Sequence, residues 1–379
     1  MPALDHWHPV ARCKDVQQKP HAVRLCGREL VLFRSKSGVV GALEDQCCHR
    51  GMRLSVGKVD ESGCLVCPYH GWKYHVDGQL ETSSVPKLTH QTEFFLTREE
   101  FGLTWIKSSK SEVPFPELDF EGHEYIGTLF HTLDAPLEVA LDNFTEVEHT
   151  GEAHAYFGYS QEDTAKIETK MSVTKTTTSV VNKGVQRPYP WFVKPFLSIR
   201  PGDYFYNTWV TYFSPVYTVY DQFWTTPDGK HERKNRLRIA IFFNPLDDKT
   251  TQMVTLIYGK PFLGRFFFRH VVRHLITAGT NMELLLDKQV VDNLADKSPS
   301  LRGKKLGRFD QPLIQNRRRI DKIYRGMGEH SDASTHPGGP AGPQPPGSDR
   351  LPGDDSRERP TSGRDADRDV SQTRNPQHD

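Results

Sequence analysis

Cys47, His49, Cys67 and His70 are the residues whose types and spacing carry the strongest chemical signal. They fall in two short segments, Cys47-Cys48-His49-Arg50-Gly51 and Cys67-Pro68-Tyr69-His70-Gly71-Trp72, which together read C-x-H-x17-C-x2-H. Each segment offers one thiolate and one imidazole, a donor set that suits zinc or an iron–sulfur cluster. A second group lies in Glu146-Val147-Glu148-His149-Thr150-Gly151-Glu152-Ala153-His154. His149 and His154 would point about 140° apart on a continuous helix, because each residue advances about 100°. They converge only if the helix breaks between them, and Thr150-Gly151 is the expected break. Two histidines and a carboxylate are the facial ligand set of non-haem Fe(II) oxygenases.

The elements that must position these groups follow from the apolar pattern. Up to about residue 115 the chain reads as short strands. Glu29–Phe33 and Val39–Leu43 are strand-like around a Ser37-Gly38 turn, and Asp77-Gly78 predicts a hairpin with both turn positions at positive φ. Beyond it, Ala135–His149 reads as helix. Ser172–Val181, Tyr204–Phe213, Arg238–Phe243 and Met253–Tyr258 read as strands of an antiparallel sheet with one buried face. Asn281–Asp296 reads as a further helix, with Leu284, Leu285, Val291 and Leu294 available for one side. From about Ser331 the chain is Pro, Gly, Ser, Asp and Arg with one Leu, one Val and no aromatic residue, a composition expected to be disordered. The expected division is therefore 1–115, 116–328 and a tail, 329–379.

Composition narrows the class. A formal net charge of +1 gives no electrostatic case for binding nucleic acid. The polar start, Met1–Pro20, lacks the apolar core of a secretory signal. No apolar run reaches the roughly 18–20 residues of a membrane span, and a cytoplasmic location is expected. Six cysteines in 379 residues do not make a disulfide scaffold. Cys48 and Cys64 read as packed small hydrophobes, Cys48 because its spacing to His49 is wrong and Cys64 because it precedes the second loop.

The C-x-H-x17-C-x2-H pattern resembles the Rieske cluster motif, in which two thiolates hold one iron of a [2Fe–2S] centre and two histidines the other. The flanking residues favour this over zinc: Gly51 and Gly71 allow close backbone approach, Pro68 stiffens its loop, and Trp72 can screen the cluster from water. Respiratory-chain Rieske proteins carry an extra cysteine in each loop. Met52 and Tyr69 stand there, so the resemblance is to Rieske oxygenases and ferredoxins, with a potential expected toward the lower end of the Rieske range. The second group resembles the iron motif of the Rieske oxygenases. The likeness implies His149 and His154 as ligands of a mononuclear iron and a carboxylate from a later helix as the third. Leu286-Asp287-Lys288-Gln289-Val290-Val291-Asp292 fits, with Asp287 assigned and Asp292 and Glu283 as runners-up. Glu146 replaces the usual aspartate that links a cluster histidine of one subunit to an iron histidine of the next. By position it would join a neighbour's His70 to His149.

The start, His6-Trp7-His8-Pro9-Val10, resembles the docking strand of the shorter, homotrimeric group that includes vanillate O-demethylase. The implied fold is α+β: a small all-β Rieske domain on a helix-grip-like antiparallel-sheet catalytic domain. The implied activity is oxygenation of a small organic substrate by O₂. Monooxygenation is preferred over ring cis-dihydroxylation, and a non-enzymatic electron carrier is the reading from another class. The aromatic residues from Tyr204 to Trp224 would suit an apolar or aromatic substrate, although they are also ordinary strand residues. No G-x-G-x-x-G occurs, so electrons must come from a separate NAD(P)H-dependent reductase, through a ferredoxin or directly. Lys260–Ile276, with Arg265, Arg269 and Arg273, reads as a half-buried helix with a solvated basic face, and Arg317-Arg318-Arg319 as a solvated helix face or a docking patch for an acidic donor.

Overall fold

The strict alternation of Tyr204–Phe213 produces a strand whose every second side chain is buried, and this strand anchors the larger of two β systems. The structure is a computed structural model that describes residues 2–154, 158–189, 198–261 and 264–327. The expected tail, 329–379, lies outside the described residues. Residues 1–330 form one compact unit.

The first β system holds three small antiparallel sheets. One contains β1 (His8–Arg12), β10 (Leu103–Ser108) and β9 (Phe95–Glu100), and another contains β2 (His21–Leu25), β3 (Arg28–Arg34) and β4 (Val40–Glu44). The third consists of β5 (Lys58–Val59), β6 (Leu65–Val66), β7 (Lys73–Tyr74) and β8 (Leu80–Glu81). The Asp77-Gly78 hairpin forms, with a correction. His75 N–H reaches Gln79 O across a three-residue loop, and only Gly78 has positive φ. A longer loop built on an ordinary turn needs a single left-handed residue, and the Asp77 carboxylate accepts from Gln79 N–H instead.

The second system is a seven-stranded antiparallel sheet in the order β11-β17-β16-β15-β14-β13-β12. Its strands are β11 (Glu124–Leu133), β12 (Glu168–Val173), β13 (Thr177–Val185), β14 (Tyr204–Phe213), β15 (Val216–Thr225), β16 (Glu232–Pro245) and β17 (Thr251–Gly259). The run Ser172–Val181 is not one strand. It folds back at Thr174–Thr176, where the Thr174 hydroxyl accepts the N–H groups of Thr176 and Thr177. β16 shows how the sheet is sandwiched. Ile239, Ile241 and Phe243 join the core under the helices, whereas Ala240 and Phe242 pack with Leu103 and Trp105 of β10. The opening segment docks here: Asn244 donates to Pro9 O and faces His8, and His6 meets Ser214 and stacks on Tyr324. The expected α+β architecture is the one observed.

The helices differ from expectation at their ends. α1 covers only Leu137–Asn143, and a single turn, α2, follows at Thr150–Ala153. Between them the Thr145 hydroxyl bonds back to Leu141 O, and Glu146 accepts from the N–H groups of Glu148 and His149, so side chains replace helical hydrogen bonds. α3 (Arg265–Phe267) passes through a π turn (Phe268–Val272) into α4 (Arg273–Asp292), which starts earlier and stops earlier than Asn281–Asp296. Arg265 and Arg269 of the basic stretch pair with Glu124 of β11. α5 (Gln311–Arg319) is tied to α1 by Arg317, whose guanidinium grips both oxygens of Asp142, so Arg317 is an internal anchor.

Candidate metal centres

The two Cys/His loops are built alike. Cys47 N–H donates to Met52 O and Gly51 N–H to Cys47 O, while Cys67 N–H donates to Trp72 O and Gly71 N–H to Cys67 O. Gly51 and Gly71 both sit at positive φ, as these closures require. Cys47 and Cys67 are 2% exposed, whereas His49 and His70 are exposed. The two imidazoles lie 4.5 Å apart, and Trp72 stacks on His49 with rings 9° from parallel. Thiolates inward and imidazoles outward fit a two-iron cluster with a buried and an exposed iron. Among the described residues, this quartet is not one of the sets whose donor atoms crowd within 4.8 Å, as they would around one zinc ion. Tyr74, fully buried, donates its hydroxyl to Cys47 Sγ at 3.1 Å and accepts Cys48 N–H at 3.1 Å. No motif flagged Tyr74. Only its place two residues after Trp72, at the end of a short strand, points to it.

The second group converges around Asp287. Its Oδ1 lies 3.2 Å from His149 Nε2 and 3.0 Å from His154 Nε2, and it accepts Asn143 Nδ2 at 2.9 Å. The break that brings the histidines together is not at Thr150-Gly151, which is inside α2. His149 stands at the N-cap of α2 and His154 just beyond its end in extended backbone, so the chain turns away on both sides of one helical turn. Gly151 is required there, because a Cβ would lie 3.0 Å from Gln161 Cα and 2.4 Å from its Oε1. Arg187 holds the exit: its guanidinium donates to Thr150 O, Gly151 O and His154 O.

Asp287 comes from the buried stripe of α4, with Thr280, Glu283 and Leu284 on the same side. Of the runners-up, Asp292 faces away, bonded to Asp134 N–H and Lys288, and Glu283 sits behind His154, its Oε2 3.6 Å from Nδ1. Glu146 Oε1 contacts His149 Nδ1, and its Oε2 takes the backbone N–H groups already described, so both oxygens are engaged within the chain. Glu146 thus keeps the proton of His149 on Nδ1 and leaves its Nε2 for an ion, while Glu283 lies behind His154 beyond hydrogen-bond distance. Burial by itself would lower the His149 pKa, but Asp287 and Glu146 reverse this and push it up to about 10. Burial would raise the Asp287 carboxyl, yet His154 and His149 hold it well below the usual carboxylate range.

The three side chains open on a cavity of about 90 Å³ walled by Phe205, Trp209, Tyr220, Leu237, Ile239 and Leu284. Two amides face into it, Asn207 and Gln222, directly paired across β14 and β15 and bonded at 3.2 Å. Sequence reading missed this pair, together with Asn143 and Arg187, since each is an ordinary polar residue in its own segment.

Comparison with known proteins bears on the N-terminal domain and on the fold. Residues 6–94 match the family model for the Rieske [2Fe–2S] domain. The phenoxybenzoate dioxygenase subunit alpha of Ectopseudomonas oleovorans is 49% identical over 73 residues, 19% of this chain and 18% of that one. The vanillate O-demethylase oxygenase subunit of a Pseudomonas species is 27% identical over 197 residues, 49% of this chain and 54% of that one. The matched stretches thus span less than two thirds of either relative. The crystal structure of dicamba monooxygenase bound to 3,6-dichlorosalicylic acid superposes with a TM-score of 0.71 at 18% identity, over 85% of this chain and 98% of that one. Pseudomonas putida NdmA (QL mutant) with caffeine gives 0.65 at 20% identity, covering 85% and 91%. Residues 6–94 are therefore a Rieske [2Fe–2S] domain. The chain resembles the two oxygenase subunits over the matched stretches and shares the fold of dicamba monooxygenase and NdmA.

Proposed function

We propose that this chain is the oxygenase component of a Rieske non-haem iron monooxygenase acting on a small organic substrate, aromatic or otherwise apolar. The observation that carries the reading is the convergence of His149, His154 and Asp287 on an apolar cavity, in a chain that also carries the Rieske domain. When bound, the [2Fe–2S] cluster relays single electrons and a mononuclear Fe(II) activates O₂. The residues supply the rest. Cys47, His49, Cys67 and His70 would hold the cluster, and His149, His154 and Asp287 would hold the iron. Glu146 fixes the Nδ1 proton of His149, and Glu283 adds a negative charge behind His154. Phe205, Trp209 and Leu284 exclude water, and Asn207 and Gln222 orient a polar edge of the substrate.

The electrons come from a separate NAD(P)H-dependent reductase, with or without a ferredoxin. The active assembly is a homotrimer in which Glu146 lies on the route from a neighbour's cluster. We favour monooxygenation over dioxygenation on the sequence likeness to the vanillate O-demethylase oxygenase subunit and the fold shared with dicamba monooxygenase. Among the described residues no helix is long and apolar enough to cross a membrane. The test is iron content with a variant: about three irons per chain, from a two-iron and a one-iron site, support the oxygenase and about two support an electron carrier. His149→Ala is expected to keep the cluster's visible spectrum and abolish O₂-dependent turnover with a surrogate reductase. Turnover at the wild-type rate would reject the iron assignment.

A further inference from the structure

We propose a third metal site, for zinc or a similar thiophilic dication, formed by Cys64, His75 and Glu81. Cys64 directly precedes β6, His75 directly follows β7, and Glu81 ends β8. The pairings Leu65↔Tyr74, Tyr74↔Leu80 and Lys73↔Glu81 set the three residues side by side. Cys64 and His75 lie at the end of β6 and β7 away from the loop that carries Cys67 and His70, and Glu81 reaches in from β8, where it pairs with Lys73. Cys64 Sγ is 3.5 Å from His75 Nδ1 and 3.8 Å from Nε2, and Nε2 is 3.6 Å from Glu81 Oε2. One donor atom from each residue falls within 4.8 Å of the other two.

These separations are near those that an ion imposes. Tetrahedral zinc, with bonds of about 2.3 Å to sulfur and about 2.0–2.2 Å to nitrogen and oxygen, spaces neighbouring donors roughly 3.4–3.6 Å apart. Closing around it through Nε2 would require the exposed His75 ring to swing, because Sγ now lies nearer Nδ1 than Nε2. The sulfur is already fixed: Cys64 is 1% exposed and its N–H is held by Asp60 Oδ1 at 3.0 Å. The nearby cation, Lys73, is matched by Asp60 Oδ2 at 2.8 Å and so opposes a dication less. His75 and Glu81 are exposed, which leaves water as the fourth ligand. On binding, the Cys64 thiol proton passes to solvent and no oxidation is involved. The ion would tie β6, β7 and β8 together and so brace the hairpin from which the second cluster loop projects.

The experiment uses holoprotein with its cluster and iron in place. Zinc is titrated against a chromophoric chelator, and cadmium-113 NMR reports the ligand set. The wild type is expected to hold one more tightly bound zinc per chain than Cys64→Ser or His75→Gln. It should also give a one-sulfur cadmium resonance that both variants lack, with an unchanged cluster spectrum. Added zinc should raise the temperature at which the cluster bleaches in the wild type alone. Equal zinc binding by the wild type and His75→Gln, whose exposed side chain can be replaced without disturbing the core, overturns the proposal. So does bleaching of the wild-type cluster by zinc, which would show that Cys47 and Cys67 are the thiolates being taken.

Discussion

Tyr74→Phe isolates a single hydrogen bond to the cluster's inner sulfur. The ring is fully buried and its hydroxyl donates to Cys47 Sγ at 3.1 Å, so the substitution keeps the packing and removes one donor. A hydrogen bond to a charged acceptor contributes about 1.5–3 kcal/mol. Reduction adds one electron to the cluster, which makes the thiolate a better acceptor, so the bond stabilises the reduced form more than the oxidised one. If about 1 kcal/mol of that bond differs between the two states, the one-electron potential moves by roughly 40 mV, since 59 mV corresponds to a tenfold change, about 1.4 kcal/mol. The variant should therefore titrate about 40 mV lower, followed by EPR of the reduced cluster in a mediated redox titration. Cys48 N–H also loses its acceptor, which predicts a small loss of thermal stability that must be measured alongside. An unchanged or higher potential in a folded, cluster-loaded Tyr74→Phe protein would refute the reasoning, because the hydroxyl would then favour neither redox state.

Other expectations follow from the second centre and from the core. Glu146→Gln removes the charge behind His149 Nδ1, and loss of such a partner typically weakens metal binding about 10–100-fold. At saturating iron both metals should remain bound while single-turnover oxidation of the cluster slows, and wild-type rates would remove Glu146 from the electron route. Arg187→Met frees three carbonyls around α2, and at about 1–3 kcal/mol lost the iron dissociation constant should rise roughly 5–150-fold with the cluster spectrum unchanged. His8 is fully buried, and burial holds its pKa down to about 4 against the pull of Ala3 O and Asn244. Its folded pKa lies below the ordinary 6.5, so the unfolded chain takes up the proton first. Stability present above pH 6.5 is then lost as pH falls toward 4, by up to about 3 kcal/mol. Urea unfolding at several pH values should show this slope in the wild type and a shallower one in His8→Gln.

The two Cys/His loops were legible because each packs a cysteine, a histidine and a positive-φ glycine into five residues, and the second adds the screening Trp72. The strands of the large sheet were legible where alternation is strict, as in Tyr204–Phe213. The hairpin inside Ser172–Val181 was not, because threonine suits strand and turn alike and the Thr174 hydroxyl decides between them. The ends of α1 were missed for a similar reason: Thr145 and Glu146 bond to backbone that the helix would otherwise have used. Arg187, Asn143 and the Asn207–Gln222 pair were out of reach, since each acts on groups distant in sequence and only the folded sheet brings them together.

The charge gathered around His149 and His154 argues for an ion there over two ordinary core histidines. Asp287 is 3% exposed, and the Glu146 and Glu283 side chains are 14% and 7% exposed. Burying an ionised carboxylate costs several kcal/mol unless a cation lies beside it. Without a metal, that cation is the His149 imidazolium, kept by its carboxylates up to about pH 10. A divalent ion satisfies the acids better, but it needs a neutral Nε2, so its entry must expel a proton. Below about pH 10 His149 is protonated in the empty site, and affinity should therefore rise with pH, by up to about tenfold per unit between pH 6 and 8 for one proton released. Cobalt(II) titrated calorimetrically into iron-stripped, cluster-loaded protein, in buffers of different ionisation heat, measures that proton directly. Uptake without proton release and with the same affinity at pH 6 and pH 8 would mean that the ion does not displace a proton from His149, and the histidine pair would revert to a structural role.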